Sequence, residues 1–171
     1  MDTSALLVRL NLFLSLEMLQ TSLYTRNLNA VKNDEQWEHA LLTFLETENK
    51  HVENIRIAIE ELGEKPHRGL DIATSAFGAI TAEIAEAFGE DKVISYGIWV
   101  EQKAVEMYYD LVQQLDPDQY HDIVKMLWGN LVHEELHMMW FTYRKANGPE
   151  IVSSLKKEIP FSSNKQPSTI R

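Results

Sequence analysis

The pattern of apolar and polar residues along this chain is that of long amphipathic helices. Apolar residues recur at steps of three and four in four segments, which predicts four helices that bury one face each. We expect them over about 4–27, 34–63, 91–115 and 116–147. Asp34 is the predicted N-cap of the second helix, and Asp116-Pro117 is the predicted start of the fourth. The expected fold class is therefore all-α.

The lengths of the connections predict how these helices are arranged. Short connections join helices one and two and helices three and four, so each pair should be an antiparallel hairpin. Some 28 residues separate the pairs, which is enough for one long crossover between helices two and three. Residues 71–88 of this crossover are weakly helical in pattern. We therefore expect a four-helix bundle over 1–149, followed by a short helical stub and a flexible polar tail over 150–171.

Composition narrows the classes of function. The 171 residues include no cysteine, which excludes disulfides, iron–sulfur clusters, zinc ribbons and thiol catalysis, and favours a cytoplasmic location. A net charge of −10 disfavours nucleic acid as a partner. The leucine-rich run 6–19 raises the alternative of a signal peptide, but Asn11, Ser15 and Glu17 interrupt it. No stretch approaches the roughly 20 apolar residues of a membrane span, so no integral membrane segment is expected.

Each apolar stripe carries one glutamate near its middle. Ionised carboxylates in an apolar interior cost several kcal/mol each, so they need counter-charge. Core-facing lysines and arginines are too few to supply it, whereas two divalent cations balance four glutamates. The stripes are Leu6, Leu10, Phe13, Glu17 and Tyr24; Trp37, Leu41, Phe44, Leu45, Glu48, His51, Val52, Ile55 and Ile59; Ile94, Ile98, Glu101, Val105, Tyr108 and Val112; and Ile123, Leu127, Leu131, Glu134, His137, Met138 and Phe141.

The spacing of the polar residues on these stripes fits a site for two metal ions. Glu48 and His51, like Glu134 and His137, are separated by one helical turn, so each pair can bind one metal. An in-phase glutamate, Glu17 or Glu101, lies on the helix before each pair. The arrangement repeats at an offset of about 85 residues, which suggests a pseudo-twofold site. His133 competes with His137 as a ligand, and the phase of the helix favours His137.

Several polar residues near the predicted site have a second interpretation. Tyr24 and Tyr108 follow Glu17 and Glu101 by seven residues, so each could donate a hydrogen bond to a ligand carboxylate or simply fill the core. The remaining acids and histidines fall off the stripes and are expected at the surface: Glu46, Glu53, Glu60, Glu61, Glu135, His39, His67 and His121.

The pattern of glutamate, Glu-x-x-His, glutamate, Glu-x-x-His resembles that of the ferritin-like di-iron carboxylate superfamily over residues 4–147. The resemblance implies a ferritin-like bundle that binds two iron ions, with manganese as the alternative. Glu17 and Glu101 would be terminal ligands and Glu48 and Glu134 bridging ligands. His51 and His137 would each complete one metal.

Three relatives within that superfamily share features with the chain. It is similar to rubrerythrins in bundle size and in the two tyrosines, but their additional glutamate on helix three is Ala104 here, and the cysteines of a rubredoxin-type iron site are lacking. It resembles bacterioferritin in its six ligands, but Asn49 stands where a haem-binding methionine is expected. It resembles demethoxyubiquinone hydroxylases at Ala76-Phe77-Gly78-Ala79, but a histidine of that family is Glu106 here.

The resemblance implies a non-haem di-iron oxidoreductase that reacts with dioxygen or peroxide, of rubrerythrin-like peroxidase or hydroxylase type. Tyr24 and Tyr108 are the expected catalytic residues beside the six ligands. The electron donor is unknown, and a monomer or homodimer is expected. The alternatives are a ferroxidase that stores iron, as bacterioferritin does, and a bundle in which the metal is structural.

Overall fold

The computed structural model describes residues 1–30, 34–66 and 90–148, and within these ranges the chain is all-helical. The four helices are α1 (Thr3–Ala30), α2 (Glu35–Glu61), α3 (Glu90–Gln114) and α4 (His121–Asn147). The expected all-α class is confirmed for this part of the chain. The weakly helical 71–88, His67, the crossover as a whole and the segment 150–171 lie outside the described residues.

The N-terminus of α2 is capped as its sequence predicts. The Asp34 carboxylate accepts hydrogen bonds from the backbone N–H groups of Gln36 and Trp37, both at 3.1 Å. Its other oxygen lies 2.5 Å from Nη2 of Arg144 on α4, whose guanidinium also lies 5.5 Å from the Trp37 ring centroid. Burial alone would raise the pKa of Asp34, but these donors outweigh it and the pKa is lowered. The cap therefore also joins α2 to the end of α4.

The start of α4 was predicted wrongly. Residues 116–120 form turns, in which the backbone N–H of Tyr120 bonds the carbonyl of Asp116 at 2.9 Å. The Asp116 carboxylate accepts from the N–H of Asp118, at 2.9 Å. The helix begins only at His121, because the Asp116 side chain bonds its own turn instead of capping a helix.

Contacts between the helices define their directions. Arg9, near the start of α1, pairs with Asp110, near the end of α3, at 2.5 Å. Trp37 at the start of α2 stacks on Trp140 near the end of α4, with ring centroids 4.9 Å apart. The Thr3 hydroxyl lies 3.0 Å from that of Tyr120, so α1 and α4 begin at the same end. Consequently α2 and α3 run in the same direction, and α2 ends at the opposite end of the bundle from the start of α3.

The buried apolar side chains form two clusters, one toward each end of the bundle. The first joins the beginnings of α1 and α4 to the ends of α2 and α3, and the second joins the opposite ends. Between them lies a layer of buried polar side chains. The first cluster comprises Leu6, Leu10, Phe13, Leu14, Leu16, Val52, Ile55, Ala58, Ile59, Ala104, Tyr108, Leu111, Val112, Leu115, Tyr120, Ile123, Leu127 and Leu131, and the second comprises Tyr24, Trp37, Ala40, Leu41, Phe44, Ile94 and Phe141.

A close approach of α3 to α4 needs a glycine. A Cβ atom placed on Gly97 would lie 2.7 Å from two ring carbons of Phe141. The Phe141 ring is fully buried and packs against Phe44 and Tyr24, so it has little room to move. Gly97 therefore sets the packing of the second cluster next to the polar layer.

One described helix, α1, is long and apolar enough to span a membrane by length and composition, over Thr3–Thr25. However, 56% of its most apolar stretch is buried inside the bundle. The same stretch carries Glu17 and Gln20 in the core. A helix that lines a core passes such a test easily, so the described residues contain no clear integral membrane segment.

Candidate metal centre

The polar layer contains all six side chains that the sequence pattern selects as metal ligands. Each of the four helices contributes one glutamate, and α2 and α4 add a histidine one turn further on. These residues are buried, with no more than 4% of the surface of any of them exposed. They are Glu17, Glu48, His51, Glu101, Glu134 and His137. The structure brings all of them together, while their binding of metal stays a prediction.

The ligand atoms fall into two overlapping groups. One group comprises Glu17, Glu48, His51 and Glu134, and the other comprises Glu48, Glu101, Glu134 and His137. Within each group one ligand atom per residue lies within 4.8 Å of the others. Two groups that share two carboxylates have the form of a site for two neighbouring cations, in which the shared residues can contact both.

Both histidines turn the Nδ1 atom toward the carboxylates. Nδ1 of His51 lies 2.9 Å from Glu134, 3.1 Å from Glu48 and 3.3 Å from Glu17. Nδ1 of His137 lies 3.0 Å from Glu48 and 3.8 Å from Glu101. Each imidazole thus faces its own group of oxygen atoms, and Glu48 lies between the two rings.

Several oxygen and nitrogen atoms of this polar layer lack regular hydrogen bonds and could bind cations. Among the described residues, no hydrogen bond of normal geometry reaches either carboxylate oxygen of Glu48, one oxygen each of Glu101 and Glu134, or Nδ1 of His137, although imidazole nitrogens lie close to three of these oxygens. Buried polar atoms normally have partners, so this many orphaned acceptors in one place needs an explanation. Carboxylate oxygens and imidazole nitrogens are the donor set that suits iron and manganese. The residues present therefore fit a pair of divalent cations.

Protons replace part of the missing positive charge when metal is absent. Burial raises the pKa of Glu17 and Glu101 well above the usual value, and neighbouring carboxylates add to this shift. Burial and the charge of Glu134 raise the pKa of Glu48 to about 7. Burial acts against the charged form of His51, but Glu134, Glu17 and Glu48 outweigh it and raise its pKa to about 12. Burial also disfavours the charged form of Glu134, but the contacts with His51 outweigh burial and lower the pKa of Glu134 to about 2.

The two tyrosines predicted near the ligands differ in their contacts. The buried Tyr108 hydroxyl donates a hydrogen bond to Oε1 of Glu17, on α1, instead of to Glu101 on its own helix. Asn130 Nδ2 donates to the Tyr108 hydroxyl at 3.1 Å. The Tyr24 hydroxyl is buried and has no hydrogen-bond partner among the residues that the structure describes, and its ring packs edge-on to His137 with centroids 6.4 Å apart. The predicted hydrogen bond to a ligand is therefore present for Tyr108 and absent for Tyr24.

Sequence reasoning missed Gln20, which is fully buried one turn after Glu17. Its Nε2 donates to Glu101 at 3.3 Å and to Glu134 at 3.1 Å, so it holds two of the four carboxylates. Its position between Glu17 and Tyr24 on the α1 stripe was a usable signal. Asn130, also missed, precedes Glu134 by four residues on the buried face of α4.

The competition between the two histidines of α4 has a clear geometric outcome. His137 belongs to a ligand group, whereas His133 contacts the outer side of His51. His133 is exposed on the surface of α4 but partly covered where it meets His51. This partial burial, together with the charge of His51, lowers the pKa of His133. The residues expected at the surface are exposed, where the structure describes them: Glu46, Glu53, Glu60, Glu61, Glu135, His39 and His121.

Comparisons of the chain with family models, with curated proteins and with solved structures found no match. The function has to be argued from the geometry and chemistry of the site.

Proposed function

We propose that this protein is a ferritin-like, non-haem di-iron oxidoreductase that reacts with dioxygen or peroxide. The observation that carries the proposal is the pair of overlapping ligand groups that share Glu48 and Glu134. Several oxygen atoms of these groups are buried without a hydrogen-bond partner. This cluster of buried carboxylates holds more acceptors than its two imidazoles can satisfy, and bound cations would complete it.

The shared carboxylates support the proposal of two cations instead of one. Glu17 and His51 would hold one iron, and Glu101 and His137 the other. Glu48 and Glu134 would contact both. Four carboxylates and two cations of charge +2 have no net charge together. This neutrality removes most of the free-energy cost of burying the carboxylates.

Bound iron would supply the redox chemistry with dioxygen or peroxide, and the chain would control the surroundings of the ions. Tyr108 holds Glu17 by its hydrogen bond, and Gln20 holds Glu101 and Glu134. The centroid of the Phe44 ring lies 4.2 Å from that of the His137 ring, so Phe44 would help to exclude water from this side of the site. These hydrogen bonds would keep the ligand carboxylates in a fixed orientation, and the apolar rings would limit the access of solvent to the ions.

Ferritin-like connectivity is also part of the proposal. Because α2 and α3 run in the same direction, residues 67–89 have to connect opposite ends of the bundle. The 27-residue α2 is roughly 40 Å long at 1.5 Å per residue. The connecting segment reaches up to about 75 Å when extended, so its length is sufficient. This supports one long crossover between two antiparallel hairpins.

Anaerobic reconstitution with ferrous iron tests the proposal. Metal analysis should find about two ions per chain, since two ligand groups are available. Addition of oxygen or peroxide with a chemical reductant should then give repeated turnover. A Glu134→Ala variant, which lacks a shared ligand, should lose it, while exposed Glu135→Ala keeps it.

The results also separate the alternatives. A single oxidation of the bound iron, followed by accumulation of ferric iron in a large assembly, would indicate ferroxidase and storage activity instead. Two bound ions that consume neither oxygen nor peroxide would indicate a structural metal site. Fewer than one ion per chain after reconstitution would refute the metal centre itself.

A further inference from the structure

An imidazole outside the two ligand groups contacts the centre from the surface side. Nδ1 of His133 lies 3.0 Å from Nε2 of His51. The two ring planes are 11° from parallel and their centroids are 5.3 Å apart, the separation of two imidazoles joined edge to edge by a hydrogen bond in their common plane. His51 has 1% of its side chain exposed, whereas His133 is exposed on α4. His133 therefore lies between a buried ligand and the solvent.

The chemistry of imidazole gives this contact a direction. A neutral imidazole carries a hydrogen on one nitrogen and a lone pair on the other. Nδ1 of His51 faces Glu17, Glu48 and Glu134, so it is the atom available to a metal ion. Nε2 must then carry the hydrogen and donate it, and the lone pair of His133 Nδ1 is the acceptor at the right distance.

Among the described residues, the matching position in the other half of the centre is occupied by a different side chain. His133 immediately precedes Glu134, and the residue that immediately precedes Glu48 is Thr47. The Thr47 hydroxyl donates to the carbonyl of Thr43 on its own helix at 2.9 Å. The two predicted metal positions are thus supported differently, although their ligands repeat in sequence.

We infer that His133 is a positioning residue that fixes the His51 ring with Nδ1 toward the metal, and that it makes the two metal positions inequivalent. The inference rests on the proposed metal centre, and it adds a residue that the ligand pattern does not contain. Loss of such a hydrogen bond typically weakens metal binding 10- to 100-fold. Only the position held by Glu17 and His51 should be affected.

Titration of the metal-free full-length protein with Co²⁺, followed by visible absorption, tests the inference. Wild-type protein should bind two ions. His133→Ala should weaken one binding step about 10- to 100-fold and change the absorption bands of that ion only. His133→Asn should recover most of the affinity, because its amide oxygen can accept in place of Nδ1. Thr47→Ala, the matched control, should leave both steps unchanged.

The outcomes distinguish this inference from the proposed function. Wild-type protein that binds no Co²⁺ would overturn both. Two ions bound by wild type and by His133→Ala with the same affinities and spectra would overturn the role of His133 alone. Equal weakening of both steps, without recovery in His133→Asn, would show a merely structural effect and also overturn it.

A second measurement does not depend on how well the variants fold. Nitrogen NMR of the zinc-loaded wild-type protein reports which nitrogen of each imidazole carries hydrogen. The inference requires hydrogen on Nε2 of His51, bonded to His133. Hydrogen on Nδ1 of His51 instead would overturn it.

Discussion

Removal of metal should make the stability of this protein fall as the pH rises from 6.5 to 8. A group whose pKa is raised by folding keeps a proton that the unfolded chain has already lost. Unfolding then releases protons, so the free energy of unfolding decreases with pH. His51, raised from 6.5 to about 12, acts in this way throughout the interval, and Glu48, raised from 4.5 to about 7, does so at its start. Glu17 and Glu101 shift in the same direction.

Groups that act in the opposite direction contribute little between pH 6.5 and 8. Burial lowers the pKa of His137 to about 4, so this residue makes the protein more stable as the pH rises toward 6.5. Glu134, lowered to about 2, acts in the same sense at still lower pH. Above 6.5 the contribution of Glu134 is complete, and those of His137 and of His133, whose pKa is also lowered, together offset less than about 1 kcal/mol as the unfolded histidines lose their remaining protons. From the shifts of His51 and Glu48 alone, we expect the free energy of unfolding to fall by about 2 to 3 kcal/mol between pH 6.5 and 8.

Urea unfolding of chelator-treated protein at the two pH values measures this loss. The metal-loaded protein should not show it, because bound cations replace the protons on the same atoms. Glu48→Gln should reduce the loss, since an amide does not titrate, while Glu46→Gln on the exposed side of α2 should not. Metal-free protein whose stability is constant or rises over this interval would refute the reasoning, as would an equal loss in the loaded protein.

Three further changes test the helix phases and the packing. Glu134→Ala should remove at least one of two bound metal ions by metal analysis, and Glu135→Ala should retain both; the reverse result would contradict the assigned phase of α4. Gly97→Ala should lower the free energy of unfolding by about 1 to 3 kcal/mol through overpacking, whereas Gly129→Ala, with open space around it, should raise it by up to about 1 kcal/mol. Asp34→Ala should lower the free energy of unfolding, measured with denaturant, by about 1 to 2 kcal/mol because the N-cap of α2 is lost. An unchanged unfolding midpoint would show that this cap does not stabilise the protein.

The sequence by itself determined which side of each helix faces the core. Steps of three and four residues place Glu134 among apolar side chains and Glu135 in solvent, whichever helices lie opposite. The same periodicity selects both Glu-x-x-His pairs. It also predicts four helices, because long amphipathic segments are the strongest signal in a single sequence. The boundary at Asp116 was wrong because a side chain that caps a helix can equally close a turn.

Only the tertiary structure decided which residues meet across the helices. Periodicity gives no height relative to a neighbouring helix, so it could not show that Tyr108 bonds Glu17 while Tyr24 has no partner. Gln20 becomes part of the centre because α1 brings it beside Glu101 and Glu134. His133 was weighed as a rival ligand, yet its role depends on the stacking of α4 against α2. A repeat in sequence predicts equal ligands, whereas the different neighbours His133 and Thr47 on packed helices are the reason for proposing that the two halves of the centre differ.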